Sequence, residues 1–214
     1  MDLNRLFPPN VALVIAESWM WQTPVREQEE RLIEGAVEKR RREFRAGRHA
    51  ARAALASLAA PDLPLLRGER REPLWPSGYL GSITHCRDLC IAVCARNGEI
   101  VGLGIDVEPL DPLPRGVDRY IHTEQEAAFI ADNPGLHPER LIFSAKESLF
   151  KCYYPLVQRY FGFHAVALSF DRERQSYRFK PAEPCDIEFP ALQFHGRYAV
   201  DAGHLVTASY LTRG

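Results

Sequence analysis

Two carboxylates stand two residues apart at the end of a segment that is otherwise apolar. Asp106 and Glu108 occur in GIDVE, Gly104–Glu108, which closes a run typical of a β-strand. Because strand side chains alternate between two faces, both carboxylates project from one face and repel each other unless a cation or a proton lies between them. Mg²⁺ commonly takes one or two protein carboxylates and completes its shell with water and phosphate oxygens. The spacing favours a cation site, although two solvated acids at a strand end would show the same pattern.

A second group of charged residues lies in FSAKESLFK, Phe143–Lys151. The pattern predicts a helix on which Glu147 and Lys151 follow one another along one face, with Lys146 in the adjacent row. A Glu–Lys pair at this spacing is also common on helix surfaces, where it stabilises the helix by only about 0.2–0.5 kcal/mol. The motif alone leaves both explanations open.

A local excess of positive charge lies between Lys39 and Arg52. Seven residues of this segment are Lys or Arg and one is acidic, whereas the whole chain has 27 basic and 28 acidic residues and a formal net charge of -1. The segment is therefore predicted to attract anions locally. A solvated helix face and a nucleic-acid-binding module are the alternatives.

The motifs are more informative together than singly. Ser82 and His85 lie in a further one, GSITHC, at the exit of a predicted strand. Taken in order, GRHAARAAL, EPLWPSGYLGSITHC, GIDVE and FSAKESLFK resemble the 4′-phosphopantetheinyl transferase superfamily, specifically the Sfp-like single-chain enzymes of the enterobactin-synthetase-type branch. The resemblance extends from about Arg40 to Lys151. Much of the superfamily has tryptophan at the position of Phe143, and enterobactin-type members often have phenylalanine there.

The resemblance implies an enzyme that moves the 4′-phosphopantetheine arm of coenzyme A to a serine of an apo carrier protein and releases 3′,5′-adenosine bisphosphate. It implies Mg²⁺ as cofactor, held by Asp106, Glu108 and Glu147. It implies Asp106, Glu147 and Lys151 as catalytic residues, with Glu147 as the base, directly or through water, and Lys151 on the pyrophosphate. The implied coenzyme A contacts are Arg40, Arg48, Arg67, Ser82, His85, Lys146 and Lys151, of which Arg48 and His85 match residues at the 3′-phosphate. A silent coenzyme A-binding or scaffold subunit of a synthetase assembly is the alternative within this resemblance.

The implied fold is a pseudo-twofold pair of similar α/β halves, each with helices packed on an antiparallel sheet, and a coenzyme A cleft between them. The sequence pattern agrees with this α/β (α+β) class, because each half runs from helical periodicity into a series of β-prone segments. We place the boundary between residues 1–110 and residues 111–214.

Periodicity also places the individual elements. It predicts one or two helices over 25–59, a helix from Thr123 to Ala131 that opens with a Thr123–Glu126 capping box, and a longer helix from Pro138 to about Gln158. The predicted strands cover residues 11–19, 79–84, 89–95, 100–107, 165–171, 176–179, 193–200 and 204–211. Asn97-Gly98 predicts a tight hairpin between the third and fourth of these strands.

Sequence composition indicates the cellular compartment and the redox state of the cysteines. No apolar run approaches the roughly 20 residues of a membrane helix, and the first residues lack the pattern of a signal peptide, so a cytoplasmic protein is expected. Five cysteines are too few and odd in number for a disulfide framework, and we expect them to be reduced. A monomer that binds an apo carrier protein and no nucleic acid is expected. The segment Tyr153–Phe163, YYPLVQRYFGF, is interpreted as core or as a docking patch for an acidic carrier.

Overall fold

Helices and strands alternate in two series along the chain. The computed structural model describes residues 3–183, 185, 187–201 and 203–213. The strands in this part are β1 (Val11–Ile15), β2 (Tyr79–Cys86), β3 (Leu89–Arg96), β4 (Ile100–Pro109), β5 (Val166–Asp171), β6 (Ser176–Pro181), β7 (Gln193–Asp201) and β8 (His204–Thr212). The α-helices are α1 (Glu27–Glu30), α2 (Glu38–Ser57), α3 (Glu124–Asp132) and α4 (Pro138–Val157).

The strands form two antiparallel sheets, with orders β1-β3-β2 and β4-β8-β7-β6-β5. Helix α2 packs on the first sheet, whereas α3 and α4 pack on the second. The predicted class, helices on antiparallel sheets, is confirmed.

The predicted hairpin between β3 and β4 is wrong. Strand β3 already has β1 on one edge and β2 on the other, so neither edge is free for β4. Strand β4 instead pairs with β8, in a register that places Asp106 opposite Thr207. The Asn97-Gly98 pair indicates a turn from local sequence alone. It contains no information on which strand edges are already paired in the folded protein. The predicted boundary at residue 110 leaves β4 with the first half, although its strand partner lies in the second sheet.

The two sheets meet along β2 and β4. Alternate hydroxyls of β2 accept backbone N–H groups of β4: Ser82 Oγ accepts from Ile105 at 3.2 Å and Thr84 Oγ1 accepts from Val107 at 3.1 Å. A shared apolar core continues across the junction, with Ile91 of β3 and Ile105 of β4 both fully buried. Side chains of the first sheet therefore fix the end of β4 that carries the predicted acids.

Helix α4 lies unusually close to β4. A Cβ atom placed on Gly104 would lie 1.9 Å from the carbonyl oxygen of Ser148, and one on Gly102 would lie 2.9 Å from that of Cys152. Only glycine leaves room for this approach. The close contact brings the helix residues 144–151 over the strand residues 102–106, where the chemistry was predicted.

The capping signals at the helix starts are confirmed. Glu126 Oε2 accepts from the Thr123 N–H at 2.8 Å, as the capping box predicted, and α4 begins with Pro138 in its first turn. The predicted helical stretch over 25–59 is interrupted before α2, which begins at Glu38.

Candidate active site

Asp106 lies at the centre of the polar groups where β2, β4 and α4 meet. Its side chain is buried, and its Oδ1 accepts from Lys151 Nζ at 2.7 Å and from Thr84 Oγ1 at 3.2 Å. Its Oδ2 accepts from Ser144 Oγ at 2.9 Å. The structure thus brings together two of the predicted catalytic residues, Asp106 and Lys151, which lie on different elements.

Lys151 connects this carboxylate to the strand backbone. Its ammonium group also donates to the carbonyl oxygen of Ile105 at 3.1 Å, while its side chain remains 28% exposed. A buried carboxylate thus holds a cation that still reaches the surface. Such a cation can turn toward an incoming anion without a large desolvation cost.

Glu108 has a partner that the sequence did not reveal. Its Oε2 accepts from Arg140 Nη1 at 2.7 Å, and Arg140 also donates to the carbonyl oxygens of Asp111 and Pro112 at 3.0 and 2.9 Å. Arg140 lies in the first turn of α4, so it ties that helix end to the chain that leaves β4. An arginine in an ERLIF context carries no motif signal, which is why it was missed.

The negative charge of Asp106 affects the pKa values of the other two predicted metal-binding acids, Glu108 and Glu147. Burial raises the pKa of Glu147, the negative charge of Asp106 raises it further, and Lys151 opposes the rise. Burial also raises the pKa of Glu108, again with Asp106 adding to the rise and Arg140 opposing it. Asp106 therefore repels both Glu108 and Glu147, as neighbouring carboxylates do when no cation lies between them.

Two of the three carboxylates are nevertheless paired with protein cations. Within the described ranges, no group of three or more His, Cys, Asp or Glu side chains is close enough to hold one metal ion. Lys151 forms an ion pair with Asp106, and Arg140 forms one with Glu108. Carboxylate oxygens are hard donors that fit Mg²⁺ by their chemistry, but both ion pairs would have to break for three carboxylates to share an ion.

His85 stands between the acids and the basic helix α2. Its Nε2 lies 2.9 Å from Arg40 Nη1, and its Nδ1 lies 3.8 Å from Glu43 Oε2. Burial lowers the pKa of His85, and the positive charges of Arg40 and Lys151 lower it further, against the opposing charges of Glu43 and Asp106. The histidine thus contacts Arg40 of α2 and lies close enough to the Asp106–Lys151 pair for both charges to affect its pKa.

Three predicted arginines form a cationic cluster next to His85. Arg48 is 5% exposed, donates from Nε to the Leu65 carbonyl at 2.8 Å and lies 4.4 Å over the Phe44 ring. Burial lowers its pKa to about 10, and the charges of Arg40 and Arg67 contribute to that shift. Arg40 and Arg67 are exposed. A buried guanidinium beside two exposed ones makes an anion site with one rigid member.

Two further arginines of the basic run, Arg45 and Arg52, are paired with acidic residues of the segment before α2. Arg45 donates to both carboxylate oxygens of Glu30 at 2.9 Å, and Arg52 pairs with the fully buried Glu29 at 2.6 Å. Glu29 also accepts from the backbone N–H of Leu65. These arginines hold the segment before α2 in place, which weakens the nucleic-acid alternative.

Two predicted coenzyme A contacts are used inside the protein. The hydroxyl of Ser82 accepts from β4. Lys146 is 2% exposed and donates to Ile121 O, Glu126 Oε2 and Phe163 O at 2.8–2.9 Å. All three ammonium hydrogens have acceptors, so the geometry gives Lys146 a structural role instead of a phosphate contact.

Two openings flank these groups. A groove of about 740 Å³ runs past Glu43, between the start of α2 and the β2–β3 turn. A pocket of about 230 Å³ adjoins Glu147, and half of its lining residues are aromatic, including Phe150 and Tyr160. Within the Tyr153–Phe163 segment, Tyr153 is core, whereas Tyr160 is 69% exposed. The predicted docking role of this segment stays a prediction.

No helix among the described residues combines the length and the apolar character needed to cross a membrane.

Comparisons with known proteins agree with this arrangement. Residues 28–95 match the family model "4'-phosphopantetheinyl transferase N-terminal domain", and residues 102–203 match "4'-phosphopantetheinyl transferase superfamily". The chain is 37% identical over 191 residues to 4'-phosphopantetheinyl transferase Npt of Nocardia iowensis, covering 84% of this chain and 86% of that protein. It is 37% identical over 200 residues to 4'-phosphopantetheinyl transferase PptT of Mycobacterium tuberculosis (strain ATCC 25618 / H37Rv), covering 88% and 86%.

The enterobactin-type similarity is shorter. Enterobactin synthase component D of Escherichia coli (strain K12) is 38% identical over 124 residues, covering 56% of this chain and 57% of that protein. The two long matches and the two family models together extend over most of this chain. This chain belongs to the 4′-phosphopantetheinyl transferase superfamily.

Proposed function

We propose that this chain is a Mg²⁺-dependent enzyme that transfers the 4′-phosphopantetheine group of coenzyme A to a serine of an apo carrier protein. The single observation that carries the proposal is the Asp106–Lys151 pair at the junction of the two sheets, with the arginine cluster and His85 beside it. Carboxylates that could bind a cation and cationic side chains that could bind phosphates are thus brought together by β4, α4 and α2. A silent coenzyme A-binding subunit would not need the acids.

The reaction forms a bond between the serine oxygen and the β-phosphorus of coenzyme A and breaks the bond from that phosphorus to the oxygen of the α-phosphate. The pair of electrons of the broken bond leaves with 3′,5′-adenosine bisphosphate. Glu147 accepts the serine proton, directly or through water. Lys151 places a positive charge at the pyrophosphate, where negative charge accumulates on the leaving group.

Asp106, Glu108 and Glu147 are the residues that would hold Mg²⁺. When bound, the ion supplies further positive charge for the pyrophosphate oxygens. Asp106 keeps its orientation through the Thr84 and Ser144 hydroxyls, so it does not depend on the ion for its position.

The direct test is incubation of the protein with coenzyme A, Mg²⁺ and a panel of apo carrier proteins, followed by intact-protein mass spectrometry. We expect at least one carrier to gain one phosphopantetheine group, and the gain to disappear with EDTA or with a carrier whose acceptor serine is replaced by alanine. Tight coenzyme A binding with no gain on any carrier would favour the silent subunit instead.

Removal of the exposed arginines tests the phosphate assignment. Arg40→Ala and Arg67→Ala are each expected to raise KM for coenzyme A about tenfold or more with little change in kcat, because each removes a charge-assisted hydrogen bond to phosphate. Steady-state kinetics with coenzyme A and with 3′-dephospho-coenzyme A check this. The wild-type protein should prefer coenzyme A, and the variants should lose that preference.

A matched control is Arg70→Ala, since Arg70 is also an exposed arginine close to Arg67 in sequence. Its KM should stay near the wild-type value. An equal KM increase in all three variants would assign the effect to general surface charge and not to a phosphate site.

The raised pKa values of Glu108 and Glu147 predict how pH acts on cation binding. The folded protein protonates these acids at a higher pH than the unfolded chain does, so without Mg²⁺ their contribution to stability improves as pH falls through the folded-state pKa values. Mg²⁺ requires the ionised carboxylates. The increase in Tm caused by Mg²⁺ should therefore be larger at about pH 8 than at about pH 5.5. Thermal unfolding at both pH values measures this, and an equal increase would contradict the assignment.

A further inference from the structure

We infer that Ser144 is a positioning residue that holds Asp106 in its reactive orientation, and that Thr207 fixes Ser144 in turn. The inference rests on the proposed function, in which Asp106 is a metal-binding and catalytic acid. It adds two hydroxyls that contact neither substrate nor ion in the proposed reaction and act only through Asp106.

The geometry places both hydroxyls in one continuous contact. Ser144 Oγ lies 2.9 Å from Asp106 Oδ2 and 2.9 Å from Thr207 Oγ1, and Thr207 Oγ1 lies 2.8 Å from the Ser144 carbonyl oxygen. Ser144 and Thr207 have no exposed surface. Asp106 and Thr207 are also register partners across β4 and β8. Strand pairing and helix packing therefore converge on one carboxylate oxygen.

Counting protons fixes the direction of the bond between Ser144 and Asp106. Ser144 and Thr207 each have one hydroxyl hydrogen, whereas the ionised Asp106 and the Ser144 carbonyl oxygen can only accept. Ser144 therefore donates its hydrogen to Asp106, and Thr207 has one hydrogen for either the carbonyl oxygen or the Oγ of Ser144. Both acceptors belong to Ser144, so in either case Thr207 restrains the residue that donates to Asp106.

The two oxygens of Asp106 are held differently. Oδ1 has two donors, Lys151 and Thr84, and the Lys151 side chain is 28% exposed. Among the contacts of the described residues, Oδ2 has Ser144 as its hydrogen-bond donor. Without that donor a buried carboxylate oxygen loses its partner, and the group can rotate toward Lys151. Partners that orient a metal ligand typically contribute about 10- to 100-fold to metal affinity or activity.

The neighbouring Ser148 provides a matched control. It lies one turn further along the same face of α4, is equally buried, and contacts Ala145 O, Tyr177 and Ser209 instead of Asp106. Ser148→Ala removes a hydroxyl of the same kind from the same interface. A merely structural role predicts the same consequences for both serines.

The experiment compares Ser144→Ala with Ser148→Ala in three measurements: Tm, Mn²⁺ affinity by electron paramagnetic resonance without coenzyme A, and kcat and KM for transfer. Ser144→Ala is expected to weaken Mn²⁺ binding and to lower kcat by about tenfold or more, with KM for coenzyme A nearly unchanged. Ser148→Ala should lower Tm by a comparable amount and leave Mn²⁺ affinity and kcat within about twofold of wild type.

Equal effects of the two variants on Mn²⁺ affinity and kcat would overturn the inference. If Ser144→Ala does not fold, Thr207→Val decides, because valine keeps the shape and removes the anchoring hydroxyl: a loss of Mn²⁺ affinity at unchanged KM supports the inference, and wild-type affinity overturns it. The proposed function fails separately, namely if the wild-type protein modifies no carrier, and the Mn²⁺ measurement still tests the positioning role in that case.

Discussion

Replacement of Asp106 by asparagine is expected to lower kcat for phosphopantetheine transfer about a thousandfold while the protein stays folded. The amide has nearly the shape of the carboxylate and can still accept from Lys151 on one side, while its NH₂ group can donate to the Ser144 hydroxyl on the other. What disappears is the negative charge that binds the cation and holds the Lys151 ammonium at the site. The predicted loss is therefore one of charge and not of packing.

Three measurements separate these two causes. Circular dichroism and Tm should stay close to wild type, and the increase in Tm produced by Mg²⁺ should vanish along with the activity. Asp132→Asn, an exposed acid at the end of α3, is the control and should transfer phosphopantetheine normally. Activity within tenfold of wild type in Asp106→Asn would mean that the cation is held elsewhere, and the catalytic assignment of Asp106 would be abandoned.

The Asp106–Lys151 contact shows what sequence reasoning can reach. Strand alternation placed Asp106 and helical spacing placed Lys151, and the family resemblance supplied the link between them. Their partners Thr84 and Ser144 lay inside quoted motifs, yet they had no role in the prediction. These hydroxyls can donate to the Asp106 carboxylate only because β2, β4 and α4 pack in a particular register. Neither the periodicity nor the motif spacing of the sequence predicts that register.

Arg140 and Lys146 show the opposite limits. Arg140 was missed because its function depends on a partner, Glu108, that lies 32 residues away. Lys146 was predicted to contact coenzyme A because it lies in FSAKESLFK, but Ile121 and Glu126 accept hydrogen bonds from its ammonium group. A 3.6-residue periodicity predicts which face of a helix a residue lies on. How deeply that face is buried depends on the elements that pack against it.

Seven of the eight strands were predicted to within two residues of their ends, whereas the first was predicted over 11–19 and ends at Ile15, before a 3-10 helix at Ser18–Trp21. Strand pairing was not predicted. A run of β-branched and apolar residues is a property of the segment itself, and all eight predicted strands are present. Pairing depends on which edges are free after the other strands have assembled, as β4 shows by leaving its sequence neighbour for β8. The pairing of β4 with β8 places Asp106 against α4. The site therefore depends on strand pairing, which the sequence did not predict.

Replacement of Gly104 by alanine is expected to cause the largest loss of stability of any substitution considered. The added Cβ would lie 1.9 Å from the Ser148 carbonyl oxygen and 2.8 Å from the Cys152 nitrogen, both backbone atoms of α4 that cannot rotate away. Helix α4 must shift outward or the strand must distort, and overpacking of this kind typically costs about 1–3 kcal/mol or more. For a chain of this size, Tm should fall by roughly 5 °C or more.

Activity should fall further than stability alone explains, because the same helix carries Ser144, Glu147 and Lys151 over β4. The control is Gly98→Ala, where no atom lies within 4 Å of the added Cβ, so its Tm and kcat should match wild type. The informative measurement is kcat of Gly104→Ala well below its Tm, where the protein is folded. Full activity there would show that α4 can move away from β4 without disturbing Asp106, and the close helix–strand contact would then serve folding alone. A low kcat with unchanged KM for coenzyme A would show that this glycine sets the distance between the lysine of α4 and the carboxylate of β4.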